Sequence, residues 1–235
     1  MSIKKLPETD EERIDILRAA LEQEELNEAE DKILSIKEVQ ELRIFLTSFE
    51  GANFNLNQTI IDRKNAVNLH ADKFKNVQLY ISHFIQVLFL TVIRNEIKAD
   101  NLTLYGFQED NPKIPDLSTE EAILNWGEKL MLGETERMYR GGIPLYNPAI
   151  AKVKVHYELF KESIYSLSIY KKSIARLENN MEELRKKADD FIMDIWNKVE
   201  EQYNRLSPAE QNLRFKAYKI QFAYRKGEQL NVFDL

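Results

Sequence analysis

Cysteine is absent from the 235-residue chain. That absence removes disulfides, thiolate zinc sites, iron–sulfur clusters and cysteine nucleophiles together. It suits a reducing compartment, and a cytoplasmic location is expected. Glycine and proline are scarce, at seven and six, too few for an all-β fold built on tight turns. Histidine occurs three times, as His70, His83 and His156. The first two lie thirteen residues apart, about 220° round a helix, so they share no face. A carboxylate-bridged di-iron bundle would need an acid at Val67, Tyr80 or Val153, and none is there. No metal or other cofactor is expected.

Glycine-rich phosphate loops, dinucleotide fingerprints and the serine nucleophile elbow are likewise missing. Carboxylates are plentiful, but solvated helix faces account for them and no pair stands out as acid and base. A non-catalytic protein is the expectation. The net charge of −6 and pI near 5.4 argue against nucleic acid as a partner. Eleven acids fall between Glu8 and Asp31, and five basic residues with no acid between Arg214 and Lys226. These read as two solvated faces or as a basic docking surface near the C-terminus. The start, MSIKKLPETDEE, has no apolar stretch behind its lysines, so no signal peptide is read. The longest apolar run, Tyr80 to Ile93, is short and interrupted by Ser82, His83, Gln86 and Thr91. No membrane span is expected.

What the chain has is helix. Thr9 with Glu12, Ser35 with Glu38, Ser118 with Glu121 and Ser207 with Glu210 have capping-box spacing. Asn147-Pro148 and Ser207-Pro208 place proline where a helix begins. Six helices are predicted: about 10–29, 36–50, 56–98, 119–140, 148–205, and a short one from 208. Gly51, followed by Asn53, Asn55 and Asn57, predicts a turn between the second and third. The third carries a seam of Ile60, Val67, Phe74, Ile81 and Leu88 every seven residues, with His70, Val77 and Phe84 between. From Leu79 to Ile93 apolar residues occupy every angle, which predicts cover on most sides. Gly127 and Gly133 weaken the fourth helix. In the fifth, Val153, Phe160, Leu167, Ile174, Met181, Ala188 and Ile195 repeat every seven residues, and the intermediate row slips near Leu167 to Ile174.

Tyr218, Ile220, Phe222 and Tyr224 alternate with polar or small residues, so a C-terminal β-ribbon competes with continued helix from Pro208. Such a ribbon needs a mate: the Leu102–Phe107 loop, a second copy of the chain, or another protein. The expected fold is all-α, an elongated antiparallel bundle of long, coiled-coil-like helices in one domain, 1–235. Hairpin halves 1–98 and 119–235 would be joined by a linker, 99–118. A short echo, Ala71-Asp72-Lys73-Phe74 against Ala188-Asp189-Asp190-Phe191, raises duplication of a hairpin as their origin.

The stretches LYISHFIQVL (79–88), WGEKL (126–130), RGGIPLYNP (140–148) and ADDFIMDIWNKVEE (188–201) resemble a group of bacterial helical-bundle proteins. The resemblance implies the fold and brings no activity or site residue with it.

Two functions follow as expectations. The first is an interaction or scaffold protein working through its helical surface or the C-terminal ribbon, by pairing with itself or with another protein. The second is a small-molecule or anion-binding protein. Its site would combine Arg137, Arg140, Gly141, Gly142, Tyr146 and Asn147 with a pocket near Trp126 and His83. Glycines let backbone N–H groups converge, and the helix that follows offers its positive end to a phosphate or carboxylate. The plainer reading of that turn is an interhelical connection whose arginines pair with Glu134 or Glu136.

Overall fold

A computed structural model describes residues 3–109 and 113–223. The protein is all-α with long helices: α1 (Asp10–Leu26), α2 (Ile36–Ile93), a 3-10 segment (Ala99–Tyr105), α3 (Glu120–Tyr139), α4 (Ile150–Tyr203) and α5 (Pro208–Ala217). Most starts follow from their caps. Thr9 and Ser207 each close a full capping box, and Ser35 exchanges bonds with Glu38 at the head of α2. At α3 the cap is Thr119, whose hydroxyl accepts from the Ala122 N–H, one position beyond the expected Ser118. Pro148 follows a cis peptide bond and precedes α4, rather than occupying its first turn.

The expected turn at Gly51 does not form. α2 continues through it for 58 residues, because Leu42, Phe49 and Leu56, seven apart, keep one buried row intact across the glycine. The asparagines follow the helix: Asn57 donates to the Asn53 side chain and the Thr59 hydroxyl to the Asn55 carbonyl. A mid-helix glycine costs about 1 kcal/mol, less than the burial of Phe49 and Leu56 returns. A Cβ at Gly51 would meet nothing within 4 Å, whereas at Gly133 it would lie 2.6 Å from the Tyr105 ring and 2.8 Å from the Leu104 carbonyl oxygen. Gly51→Ala is therefore expected to stabilise by about 0.5–1 kcal/mol. Gly133→Ala should destabilise by about 1–3 kcal/mol. Urea unfolding followed by far-UV circular dichroism measures both. Gly127, where a Cβ would overlap Tyr157 at 2.4 Å, is likewise a point of close helix approach rather than a weakness of α3.

The chain divides into two compact units, one of Met1–Thr59 with Ser173–Leu235 and one of Ile60–Lys172. The first is discontinuous in sequence. Its core joins Leu17, Leu42, Phe49, Ile192, Trp196 and Tyr218. Buried Glu24 ties its loops, accepting from the Ile33 and Leu34 N–H groups and from the Tyr218 hydroxyl. The Trp196 indole donates to the Tyr218 carbonyl at 3.1 Å. Burial foremost, then the Glu24 charge, pushes the Tyr218 phenol far above its usual range, so it stays a donor. At the start of α2, Glu38 accepts from Lys198 at 2.6 Å. That bond, followed by those from Ser35, holds its carboxyl down to about 2. A depressed carboxylate stabilises the fold above its ordinary value of 4.5 and loses that stabilisation as pH falls. The stability gap between wild type and Glu38→Gln should thus be full at neutral pH. It should shrink through the acid range and close near pH 2, in denaturant titrations at stepped pH.

Of the two readings of the C-terminal segment, helix holds from Pro208 to Ala217 and a short strand follows. Only Phe222–Ala223 (β2) is extended, and it pairs antiparallel with Ile3–Lys4 (β1), a mate the sequence reading did not consider. Residues 224–235, which include Tyr224 of the alternating row, lie outside the described residues.

The second unit is continuous. Val77, Ile81, Phe84 and Leu88 of α2 pack with Tyr105, Ile123, Leu130, Val153 and Phe160. Its α2 seam is buried only from Val77 onward; Ile60 and Val67, expected inside, are exposed.

Candidate functional site

The sequence's candidate residues lie mostly at the end of α3 and in the turn leading to α4. Gly141 takes a left-handed backbone, φ 87°, with open space around it, so conformation rather than room requires glycine there. Gly142 is required by room: a Cβ would lie 2.7 Å from Arg137 Nη1 and 2.8 Å from its carbonyl oxygen. Asn147 also has positive φ, 57°. These two glycines bring the chain round over the side chain of Arg137.

Arg137 is 4% exposed and Glu134 1%. Arg137 Nη2 donates to Glu134 Oε1 at 2.8 Å and to the Ile143 carbonyl at 2.8 Å, and its Nε donates to the Tyr105 hydroxyl at 2.8 Å. Glu134 also accepts from the Leu145 N–H at 3.0 Å and from the Tyr105 hydroxyl. Burial first, then Glu134, pushes the Tyr105 phenol well above its usual range. The cluster is closed upon itself, clamping the α3–α4 turn to the 3-10 segment. Arg137 has been committed to its partner carboxylate and does not reach outward as an anion receptor would. Arg140 is exposed and donates to Glu136 at 2.7 Å.

Against this cluster, with the edge of Arg137 in its wall, an open cleft of about 920 Å³ runs between the end of α2, the segment after it and the turn. Arg94, Lys98, Arg140, Gly141, Gly142 and Tyr146 border it, as do Glu96 and Asp100. Among the described residues no ion pair joins Arg94 or Lys98. Trp126 and His83 do not border this cleft. Trp126 stacks on Phe107 at 4.9 Å with Lys129 over its ring, and His83 is exposed on α2. The structure brings six of the eight candidates to one turn and leaves two elsewhere.

His70, one of the intermediate positions of the α2 seam, joins three helices. Its Nδ1 is 2.8 Å from Ser163 Oγ and its Nε2 3.0 Å from Glu120 Oε1, and the ring stacks on Phe160. Serine, histidine and glutamate in a row suggest a nucleophilic triad, but the serine is buried and sealed from substrate. The Phe160 carbonyl lies 2.6 Å from Ser163 Oγ and competes for its one proton, so the hydroxyl is held against its own helix. This is a clamp, and no spacing rule in the sequence signals that Glu120 would complete it. Among the described residues, no group of three or more His, Asp or Glu is placed to hold a metal ion.

The feature the sequence reading missed is on α2. Val77, Ile81, Phe84 and Leu88 are fully buried; two positions after each comes Leu79, His83, Gln86 and Leu90, followed by Ile93. Two residues turn a helix by about 200°, so this second row points away from the core. Leu79 is 62% exposed, Leu90 48% and Ile93 74%. The cover expected on nearly all sides of Leu79–Ile93 therefore reaches only the inner face and its flanks. Beside Leu79, a groove of about 550 Å³ is walled by Ile114, Pro115 and Leu117. α2 contains a stretch apolar and long enough to cross a membrane by composition alone, mean hydropathy 1.5, and the same stretch supplies the inner row of the core.

Compared with known proteins, the chain matches no family model, no curated protein and no solved structure.

Proposed function

We propose that this protein is a non-catalytic interaction protein that presents a helical surface to another polypeptide chain. One observation carries the reading: the row Leu79, His83, Gln86, Leu90 and Ile93 repeats at steps of four and three, the spacing that packs one helix against another, yet three of its large apolar side chains stand in solvent. The inward arrangement of Arg137, Glu134, His70 and Ser163 supports a structural use of the polar clusters. A photo-reactive benzoylphenylalanine at position 86, irradiated in cells, tests the reading, with the same group at exposed Glu182 as control. A discrete cross-linked protein adduct at 86, absent from the control, is the expected result. No adduct above control would remove the reading.

The second reading keeps a small anion, phosphate or carboxylate, in the cleft by the α3–α4 turn. Arg94 and Lys98, which join no ion pair among the described residues, favour it. Calorimetric titration with inorganic phosphate and with citrate should then give a saturable heat that Arg140→Ala or Arg94→Ala weakens. A flat titration of the wild type rules it out.

A further inference from the structure

Resting on the interaction reading, we propose that the occupant of the outer face of α2 is α2 of a second copy of this chain, laid antiparallel across it. The order of side chains in the row is the argument. Read from Leu79, it runs apolar, polar, polar, apolar: Leu79, His83, Gln86, Leu90. In an antiparallel pair, Leu79 faces Leu90 of the second copy and His83 faces Gln86, and the two-fold axis repeats both layers. Apolar meets apolar at each end. In the middle an amide, which both donates and accepts, faces an imidazole, which does the same. A polar layer inside an apolar seam fixes register at some expense of affinity.

The groove supplies an independent mark. In this register Ile93 of the second copy falls opposite Asn76, beside the recess walled by Ile114 and Pro115 next to Leu79. Its 74% exposed side chain thereby gains a site, twice over by symmetry. A parallel pair would instead set Ile93 on Ile93 at the helix end, His83 on His83, and Arg94 beside Arg94. From Asn76 to Ile93 the helix carries no formal charge, so a strongly charged partner finds nothing complementary along the row. The row spans about 21 Å at the helical rise. Its footprint is smaller than the standard interface of about 1,600 Å², so the dimer should be reversible and depend on concentration.

Because the chain has no cysteine, the register can be read directly in the purified full-length protein. Leu79→Cys mixed with Leu90→Cys should form a disulfide dimer under mild oxidation, while neither variant alone does. Sedimentation velocity should show wild type passing from the 27.7 kDa chain mass toward twice that mass as concentration rises. Leu90→Glu should remain monomeric with an unchanged circular dichroism spectrum, since the side chain is on the surface. The adduct at position 86 should contain only peptides of this chain. An adduct with a different protein overturns the dimer and leaves the interaction reading standing; no adduct of any kind overturns both. Self-cross-linking of each single variant overturns the antiparallel register. A chain that stays monomeric in solution and sediments with phosphatidylcholine–phosphatidylglycerol vesicles overturns the proposal in favour of a lipid surface.

Discussion

Replacing Glu134 with alanine should destabilise the unit of residues 60–172 by about 3–5 kcal/mol. The change leaves Arg137, 4% exposed, as a buried charge without its counterion, and strips the Leu145 N–H and the Tyr105 hydroxyl of their acceptor. Burial of an unpaired guanidinium is the dominant loss, because its hydration cannot be recovered without opening the turn. Converting both partners, Glu134→Leu with Arg137→Met, should cost less than either single change, since no charge is then stranded. Trp126 and Trp196 are the two tryptophans, one in each unit. Trp126 fluorescence in a Trp196→Phe background therefore reports on this unit during urea unfolding. A loss below about 1 kcal/mol for Glu134→Ala would mean that the pair is hydrated and behaves as a surface bridge.

In the discontinuous unit the largest effect belongs to Trp196→Ala, at about 3–5 kcal/mol. Trp196 is wholly buried beside Phe49, Ile192 and Tyr218, and its indole N–H satisfies the Tyr218 carbonyl at the end of α5. Alanine leaves both a cavity and an orphan acceptor. Trp196→Phe refills much of the space but not the bond, and should lose about 1–3 kcal/mol. Denaturant unfolding followed by far-UV circular dichroism separates the two. Equal losses would show that the hydrogen bond, not the ring volume, dominates the site.

Local chemistry was the most legible part of this sequence. Thr9, Ser35 and Ser207 announce their helices because a cap is decided by residues three apart. Gly51 misleads for the complementary reason: a glycine followed by asparagines is a local turn signal, and the choice was made by Phe49 and Leu56 packing onto distant residues. Gly127 and Gly133 look like flaws in α3 until Tyr157 and Tyr105 are seen lying against them. The Arg-Gly-Gly turn was legible as a turn, and its arginines pair with Glu134 and Glu136, the plainer of the two readings. Trp126 and His83 could not be assigned to it or away from it without the fold. The outer row of α2 was hidden by abundance, because a helix with apolar residues at every angle gives no sign of which face the chain itself leaves uncovered.

The division of the chain has a consequence for its manufacture. The ribosome delivers α1 and the first part of α2 first, yet their packing partners, Trp196 and Tyr218, come only after the whole of residues 60–172. At about 5–20 residues per second, the continuous unit is made complete while the earlier segment still waits with Leu17, Leu42 and Phe49 uncovered. The earlier segment is completed after the later one. During that interval the segment carrying Leu17, Leu42 and Phe49 exposes apolar surface that the native protein buries, the kind of surface chaperones bind.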